Sequence, residues 1–241
     1  MKYSIEIKGL RKEFGSKIAV NDLNLNVVEG SLFAFLGVNG AGKTTTIRML
    51  TGLTRPNAGE ALVMGHSITQ NLQEVKKVVN LSPQETSIAP NLTVRENLEF
   101  IAGIYGFDKV KIKEKTAQML EQFSMAEVEN SKAKTLSGGW QRKLSIAMAL
   151  ITEPKVLFLD EPTLGLDVLA RRELWREIEA LKGKITIILT THYMEEAEAL
   201  SDEIAIMAKG DLKAVGTLEE LKKKTGAENL EEAFIKIVEE V

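Results

Sequence analysis

The sequence predicts an α/β protein: a mixed, largely parallel core sheet, an antiparallel β segment at the N-terminus, and a helical subdomain inserted into the core. Three observations predict it. Short apolar runs at 31–36, 155–159 and 185–189 have the continuous character of strands covered on both faces. Helical patterns alternate with them, and strand–helix alternation favours parallel pairing. From about 86 to 149 the strand pattern gives way to apolar residues at helical spacing. The expected organisation is a single domain, with a core over 1–85 and 150–216, a helical subdomain over 86–149 and a helical tail over 217–241.

The elements follow in order. Residues 3–7 and 19–28 alternate polar and apolar, as half-exposed antiparallel strands do, with a turn near Asn21-Asp22. The run at 31–36 ends at Gly37. A glycine-rich turn follows, then a helix over 43–53 whose apolar side is Ile47, Leu50 and Leu53. Residues 60–64, between Gly59 and Gly65, and residues 75–81 have strand character. Thr93-Val94-Arg95-Glu96 is a capping box that opens a helix running through 105. Amphipathic patterns at 110–123 and 136–151 give two more helices. A strand at 155–159 leads to a helix over 169–181 with Ala170, Leu174, Ile178 and Leu181 on one face. A strand at 185–189 and a helix at 194–200 come next. Short strands at 204–207 and 212–215 close around Lys209-Gly210-Asp211. Residues 217–241 form two short helices broken at Gly226.

Composition excludes several classes. Hydrophobic residues make up 44% and charged residues 27% of 241, the balance of an ordinary globular protein. The 31 basic against 34 acidic residues give no electrostatic footprint for a nucleic acid, so none is expected as a partner. The absence of cysteine rules out a disulfide scaffold and a thiolate metal site. Two histidines, His66 and His192, are too few for a histidine-rich metal cluster. The N-terminal residues lack the apolar run of a signal peptide, and no stretch approaches the ~18 apolar residues of a membrane span. Action at a membrane would require a partner.

Gly37-Val38-Asn39-Gly40-Ala41-Gly42-Lys43-Thr44 fits the phosphate-binding loop G-x-x-x-x-G-K-[ST]. Glycines let successive N–H groups turn toward one point, and the helix N-terminus that follows favours an anion. Lys43 would reach the β- and γ-phosphates, and the Thr44 hydroxyl would sit on Mg²⁺. A chance glycine turn is the plainer explanation, but this one lies between a buried strand and a helix. Val156-Leu157-Phe158-Leu159-Asp160-Glu161 is an apolar strand ending in two acids. Alone it would be a core strand with a solvated end. After a phosphate loop, Asp160 is placed to hold Mg²⁺ and Glu161 to take a proton from the attacking water. No N-K-x-D guanine loop is present, and both motifs together say only phosphate-loop ATPase or GTPase.

Leu136-Ser137-Gly138-Gly139, ahead of a helix, resembles the signature motif of ATP-binding-cassette (ABC) proteins. A Ser-capped helix after a glycine turn is the alternative for a lone S-G-G. Here it falls between the other two motifs, in the family's order. The resemblance covers essentially the whole chain and implies a phosphate-loop NTPase cassette that binds ATP with Mg²⁺ and hydrolyses it. It implies a nucleotide-binding set of Phe14 stacking on adenine, Val20, Gly37, Asn39, Gly40, Ala41, Gly42, Lys43, Thr44 and Thr45. It adds Gln84 as a Mg²⁺ ligand beside Thr44 and Asp160, and Ser137, Gly138 and Gly139 as a cradle for the nucleotide of a second cassette. Asp167, in Gly165-Leu166-Asp167, matches the loop that crosses the cassette interface. His192 matches the switch histidine that joins Glu161 and Lys43 in catalysis. Two cassettes, identical or different, would dimerise head-to-tail on MgATP.

The segment 91–98 and Leu230-Glu231-Glu232-Ala233-Phe234 resemble ATPase subunits of bacterial drug and polysaccharide exporters. That implies a peripheral protein on the cytoplasmic face of the membrane, working through separate permease subunits. An importer ATPase is the nearest alternative, and a soluble cassette acting on ribosomes or DNA a further one. The chain departs from the family pattern at Trp140, where Gln is usual, at Val168, where Pro is frequent, and at Glu203, which reverses an arginine's charge. None of these removes a catalytic group.

Overall fold

The structure, a computed structural model, describes residues 2–239; Met1 and the last two residues of the expected tail, Glu240 and Val241, lie outside it. The N-terminal hairpin joins β1 (Tyr3–Phe14) to β2 (Lys17–Val28), turning at Gly15-Ser16 with Gly15 at φ +59°. The turn expected near Asn21-Asp22 is not there. Strand β2 runs through it, and Asp22 takes φ +45° where the register with β1 shifts. A bulge of this kind bends a strand without ending it. Strand β1 also pairs with β4 (Ala58–Val63), which pairs with β5 (His66–Ser67), in an antiparallel sheet ordered β2-β1-β4-β5.

The second sheet holds β3 (Leu32–Leu36), β6 (Val79–Ser82), β7 (Val156–Asp160), β8 (Thr186–Thr191), β9 (Glu203–Ala208) and β10 (Asp211–Gly216). Its order is β10-β9-β3-β8-β7-β6, parallel except for the β9–β10 hairpin. All five residues of β3 are buried, because its two faces meet different cores. Leu32, Ala34 and Leu36 enter one core with the helices that follow the sheet. Phe33 and Phe35 enter the other, with Ile5, Ile7, Leu10 and Val20 of the antiparallel sheet. The sheet is therefore a middle layer, which explains why its strands are apolar runs rather than alternations.

Helix α1 (Lys43–Leu50) is shorter than the 43–53 pattern predicts. Thr51 caps it, Gly52 turns at φ +73°, and Leu53 is left exposed. Residues 75–81 are not one strand: α2 (Leu72–Val78) occupies most of them, and only β6 pairs with β7. Among the described residues, the span between β6 and β7 contains an isolated bridge, Thr93 to Lys132, but no strand. Its helices are α3 (Val94–Ile104), α4 (Lys109–Gln122) and α5 (Gly138–Leu150). The capping box forms: Thr93 Oγ1 accepts from the Glu96 N–H at 3.1 Å, and the Thr93 N–H donates to Glu96 Oε2 at 2.8 Å. Helices α6 (Val168–Glu179) and α7 (Met194–Leu200) alternate with β7, β8 and β9. Helices α8 (Leu218–Thr225) and α9 (Leu230–Glu239) break at Gly226 as expected, and Leu221, Leu230, Phe234 and Ile237 join the helical core.

Candidate nucleotide site

The site forms where β3 delivers the chain to α1. Parallel pairing of β3 with β8 brings the Gly37 N–H to the Thr191 carbonyl at 3.2 Å. Two glycines of the loop are there for space. A Cβ on Gly37 would lie 2.4 Å from the Met207 carbonyl oxygen, and one on Gly42, at φ +107°, would lie 2.4 Å from that of Ala19. Phe14, Lys17, Ala19, Gln84 and Glu161 join residues 39–45 around a cavity of about 370 Å³. Lys43, buried in its wall, donates to the carbonyls of Gly37 at 2.6 Å and Val38 at 3.3 Å. Burial pushes the Lys43 pKa below the ordinary lysine value, while Glu161 and Asp160 pull it back up.

Strand β7 supplies the acids. Asp160 Oδ1 accepts from the Thr44 hydroxyl at 2.9 Å and from the Thr190 hydroxyl at 2.5 Å. Thr44 and Asp160, assigned to one cation, are thus joined directly. Glu161 sits at φ +47°, a strained value for a residue with a side chain. Its N–H donates to the carbonyl and hydroxyl oxygens of Thr190, each at 3.1 Å, which holds it there. The conformation places Glu161 Oε1 3.8 Å from Lys43 Nζ and 3.3 Å from His192 Nδ1. The imidazole nitrogen is close but off the line of a hydrogen bond, and its ring lies against Tyr193 with centroids 4.2 Å apart and planes tilted by 40°.

The donor set suits Mg²⁺. Among the described residues no group of three His, Cys, Asp or Glu is arranged to hold a metal alone. Thr44, Asp160 and the Gln84 amide offer oxygens at or beside the phosphate loop. One carboxylate with neutral oxygens, completed by phosphates, is how Mg²⁺ is commonly held.

Residues expected in the site divide into three groups. Phe14, more than half exposed, flanks the cavity with the Lys12 ammonium 5.0 Å from its ring centroid. Val20 does not reach it: its side chain is fully buried in the inter-sheet core, and Ala19 and Lys17 line the wall instead. Ser137, Gly138, Gly139 and Asp167 lie outside this cavity, gathered together elsewhere. A Cβ on Gly138 would be 3.8 Å from Leu166, and one on Gly139 would be 3.1 Å from Ala170. Ser137 occupies the N-cap position of α5 without making a side-chain cap hydrogen bond, unlike an ordinary Ser cap. The Asp167 carboxylate accepts from the Leu169 and Ala170 N–H groups and so caps α6.

Sequence reasoning missed Arg142. Its guanidinium, buried in α5, donates to the backbone carbonyls of Pro83 at 2.7 Å and of Gln84. It also missed Thr190, Lys17 and Ala19. The signal for the last two was available, since strand alternation turns 17 and 19 away from 20.

Residues 20–164 match the model of the ABC transporter family. The daunorubicin resistance ATP-binding protein DrrA3 of Streptomyces coeruleorubidus is 38% identical over 95% of this chain and 72% of its own length. The phospholipid-transporting ATPase ABCA3 of Homo sapiens is 48% identical over 92% of this chain, which spans only 13% of that protein. A solved ATP-binding subunit of an ABC transporter superposes with a TM-score of 0.85 at 29% identity, covering 97% of this chain and 98% of the other.

Proposed function

The chain belongs to the ABC transporter family as one of its ATPase cassettes, and from that premise we propose that it hydrolyses MgATP to drive export through membrane-spanning subunits carried on separate chains. One observation carries the reading: Lys43, the adjacent Asp160 and Glu161, and His192 converge from three segments on the end of one phosphate loop. Lys43 binds the β- and γ-phosphates, and Phe14 stacks on the base. Thr44, Asp160 and Gln84 would hold Mg²⁺, which offsets charge on the phosphate oxygens when bound. Glu161 takes a proton from the attacking water, and the strain at its backbone aims the carboxylate there. His192, close to Glu161 Oε1, contacts the γ-phosphate.

The cradle at Ser137, Gly138 and Gly139 serves the nucleotide of a second cassette, so the unit of function is a head-to-tail dimer, with Asp167 at its seam. The core over 1–85 and 150–216 holds the nucleotide, and the helices within 86–149 pass its state to the permease. An apolar groove supports that contact: Thr51, Leu53, Val79, Leu81 and Tyr105 line a cavity of about 350 Å³ between the end of α1 and the end of α3. Leu53 and Tyr105 are exposed there. Among the described residues no helix is long and apolar enough to cross a membrane. We place the cassette at the cytoplasmic face, held by its permease, on its likeness to the ATP-binding subunits of transporters. Export is favoured over import by the likeness to DrrA3, named for drug resistance.

The test is Mg²⁺-dependent ATP turnover by Glu161→Gln. Loss of the general base should lower kcat by at least about 100-fold while MgATP still binds. Turnover equal to the parent's would remove Glu161 from the mechanism. Co-purification with a multi-span protein from native membranes tests the transport half, and a solute-binding protein in the same complex would turn export into import.

A further inference from the structure

Glu196 lies four residues beyond His192, in the first turn of α7, and is completely buried. Its Oε1 accepts from the Thr163 hydroxyl at 2.8 Å and from the Trp175 indole N–H at 3.2 Å. Among the described residues its buried Oε2 has no well-directed donor, although the Thr191 hydroxyl lies close enough to act on its charge. A carboxylate half-satisfied inside a core is costly and adds little to stability by itself. Glu196 and the two residues it joins lie in three segments. Thr163 is in the loop that runs from Glu161 to Asp167, Trp175 is in α6, and Glu196 follows the segment that carries His192.

A second contact reinforces the first. Arg171 is one turn before Trp175 on α6, and its guanidinium lies 5.0 Å from the Tyr193 ring centroid, the ring that lies against His192. Helix α6 thus reaches the histidine segment twice on one face, through Trp175 to Glu196 and through Arg171 to Tyr193. We infer that Glu196 is a positioning residue: it locks the loop from Glu161 to Asp167 to the segment bearing His192, so that His192 keeps its place beside Glu161. This rests on the reading of His192 as a participant in hydrolysis.

The charges near the clamp are Arg171 on α6 and Glu195 on α7, 3.8 Å apart, and the buried Arg142 guanidinium on α5, which Glu196 helps to keep charged. Burial raises the Glu196 pKa, while the hydroxyls of Thr191 and Thr163, the Trp175 indole and the Arg171 charge oppose the rise.

Thr163→Val removes one donor with little change of shape, and is compared with the parent, with His192→Ala and with the double variant. Displacement of a positioned group by a fraction of an ångström should lower kcat about ten-fold, with KM for MgATP unchanged because ground-state binding does not involve Thr163. Thr163→Ser, which keeps the hydroxyl, should recover most of the loss. In the His192→Ala background, Thr163→Val should cost less than about two-fold, since the residue it positions is gone. Additive losses, or a KM that rises as kcat falls, would overturn the inference while leaving the hydrolytic site intact. A His192→Ala variant as fast as the parent would instead overturn the role of His192 and the clamp with it. Should Thr163→Val fail to fold, Trp175→Phe deletes the other donor and carries the same comparison.

Discussion

Glu196 also makes the clearest pH prediction at the scale of a single residue. Unfolded, its carboxyl titrates near the ordinary value of 4.5; folded, burial raises it. Between the two values the unfolded chain has lost a proton that the folded chain retains, so folding stability falls as pH rises through that window. Glu196→Gln cannot titrate. Denaturant midpoints should therefore decline less with rising pH above 4.5 in Glu196→Gln than in the parent, and parallel curves would mean that the carboxyl is not perturbed. Single residues were legible from sequence where the chemistry is local. Gly42, Lys43 and Thr44 are consecutive, and one loop geometry accounts for all three. Glu161 was assigned from its place after Asp160, but its φ of +47°, which lets it meet both Lys43 and His192, has no local signature. Glu196 had none either, because its partners are 33 and 21 residues away.

Helices and strands were legible when one face met one environment. The capping box opened α3 as expected, and the apolar runs became β3, β7 and β8 because both faces of that sheet are covered. Residues 75–81 were misread because Val75, Val78, Val79 and Leu81 satisfy a strand pattern, while Lys76 and Lys77 sit where a helix C-terminus welcomes cations. The tie between α5 and the Gln84 loop belongs to this scale. Arg142 reaches back 58 and 59 residues to two carbonyls, a connection that no spacing rule reveals. Removing the guanidinium leaves the Pro83 and Gln84 carbonyls without their charged donor. Since a hydrogen bond to a charged group contributes about 1.5–3 kcal/mol, Arg142→Ala should cost about 3 kcal/mol or more. It should also expose the chain around 83–92 to limited proteolysis ahead of global unfolding. A thermal midpoint and a cleavage pattern like the parent's would show that the loop is held by something else.

At the scale of the whole molecule, the proposed function gives the chain two anion-binding features that do not meet. One is the loop at Lys43, and the other is the turn at Ser137, which lies outside the Lys43 cavity and packs against Leu166 and Ala170. The sequence indicated both features, and the fold keeps them apart, since α5 starts beside α6 while α1 starts at the end of β3. On the proposed reading a single copy could not use both on one nucleotide, whereas two copies related by a two-fold axis would, each lending its Ser137 to the other's Lys43. This makes a prediction about mixtures. Lys43→Ala lacks the phosphate lysine, and Ser137→Arg fills the exposed cradle, so each variant alone should be nearly inactive. Mixed in equal amounts, about half the dimers pair one of each, and such a dimer has one spoiled site and one site with an intact Lys43 facing an intact Ser137. ATP turnover should return to about a quarter of the parent's, and should rise and fall with the ratio of the two variants. If mixing restores nothing at concentrations where the parent turns over, the cradle at Ser137 does not complete the site at Lys43, and the two-fold arrangement is wrong even if the hydrolytic chemistry at Glu161 is right.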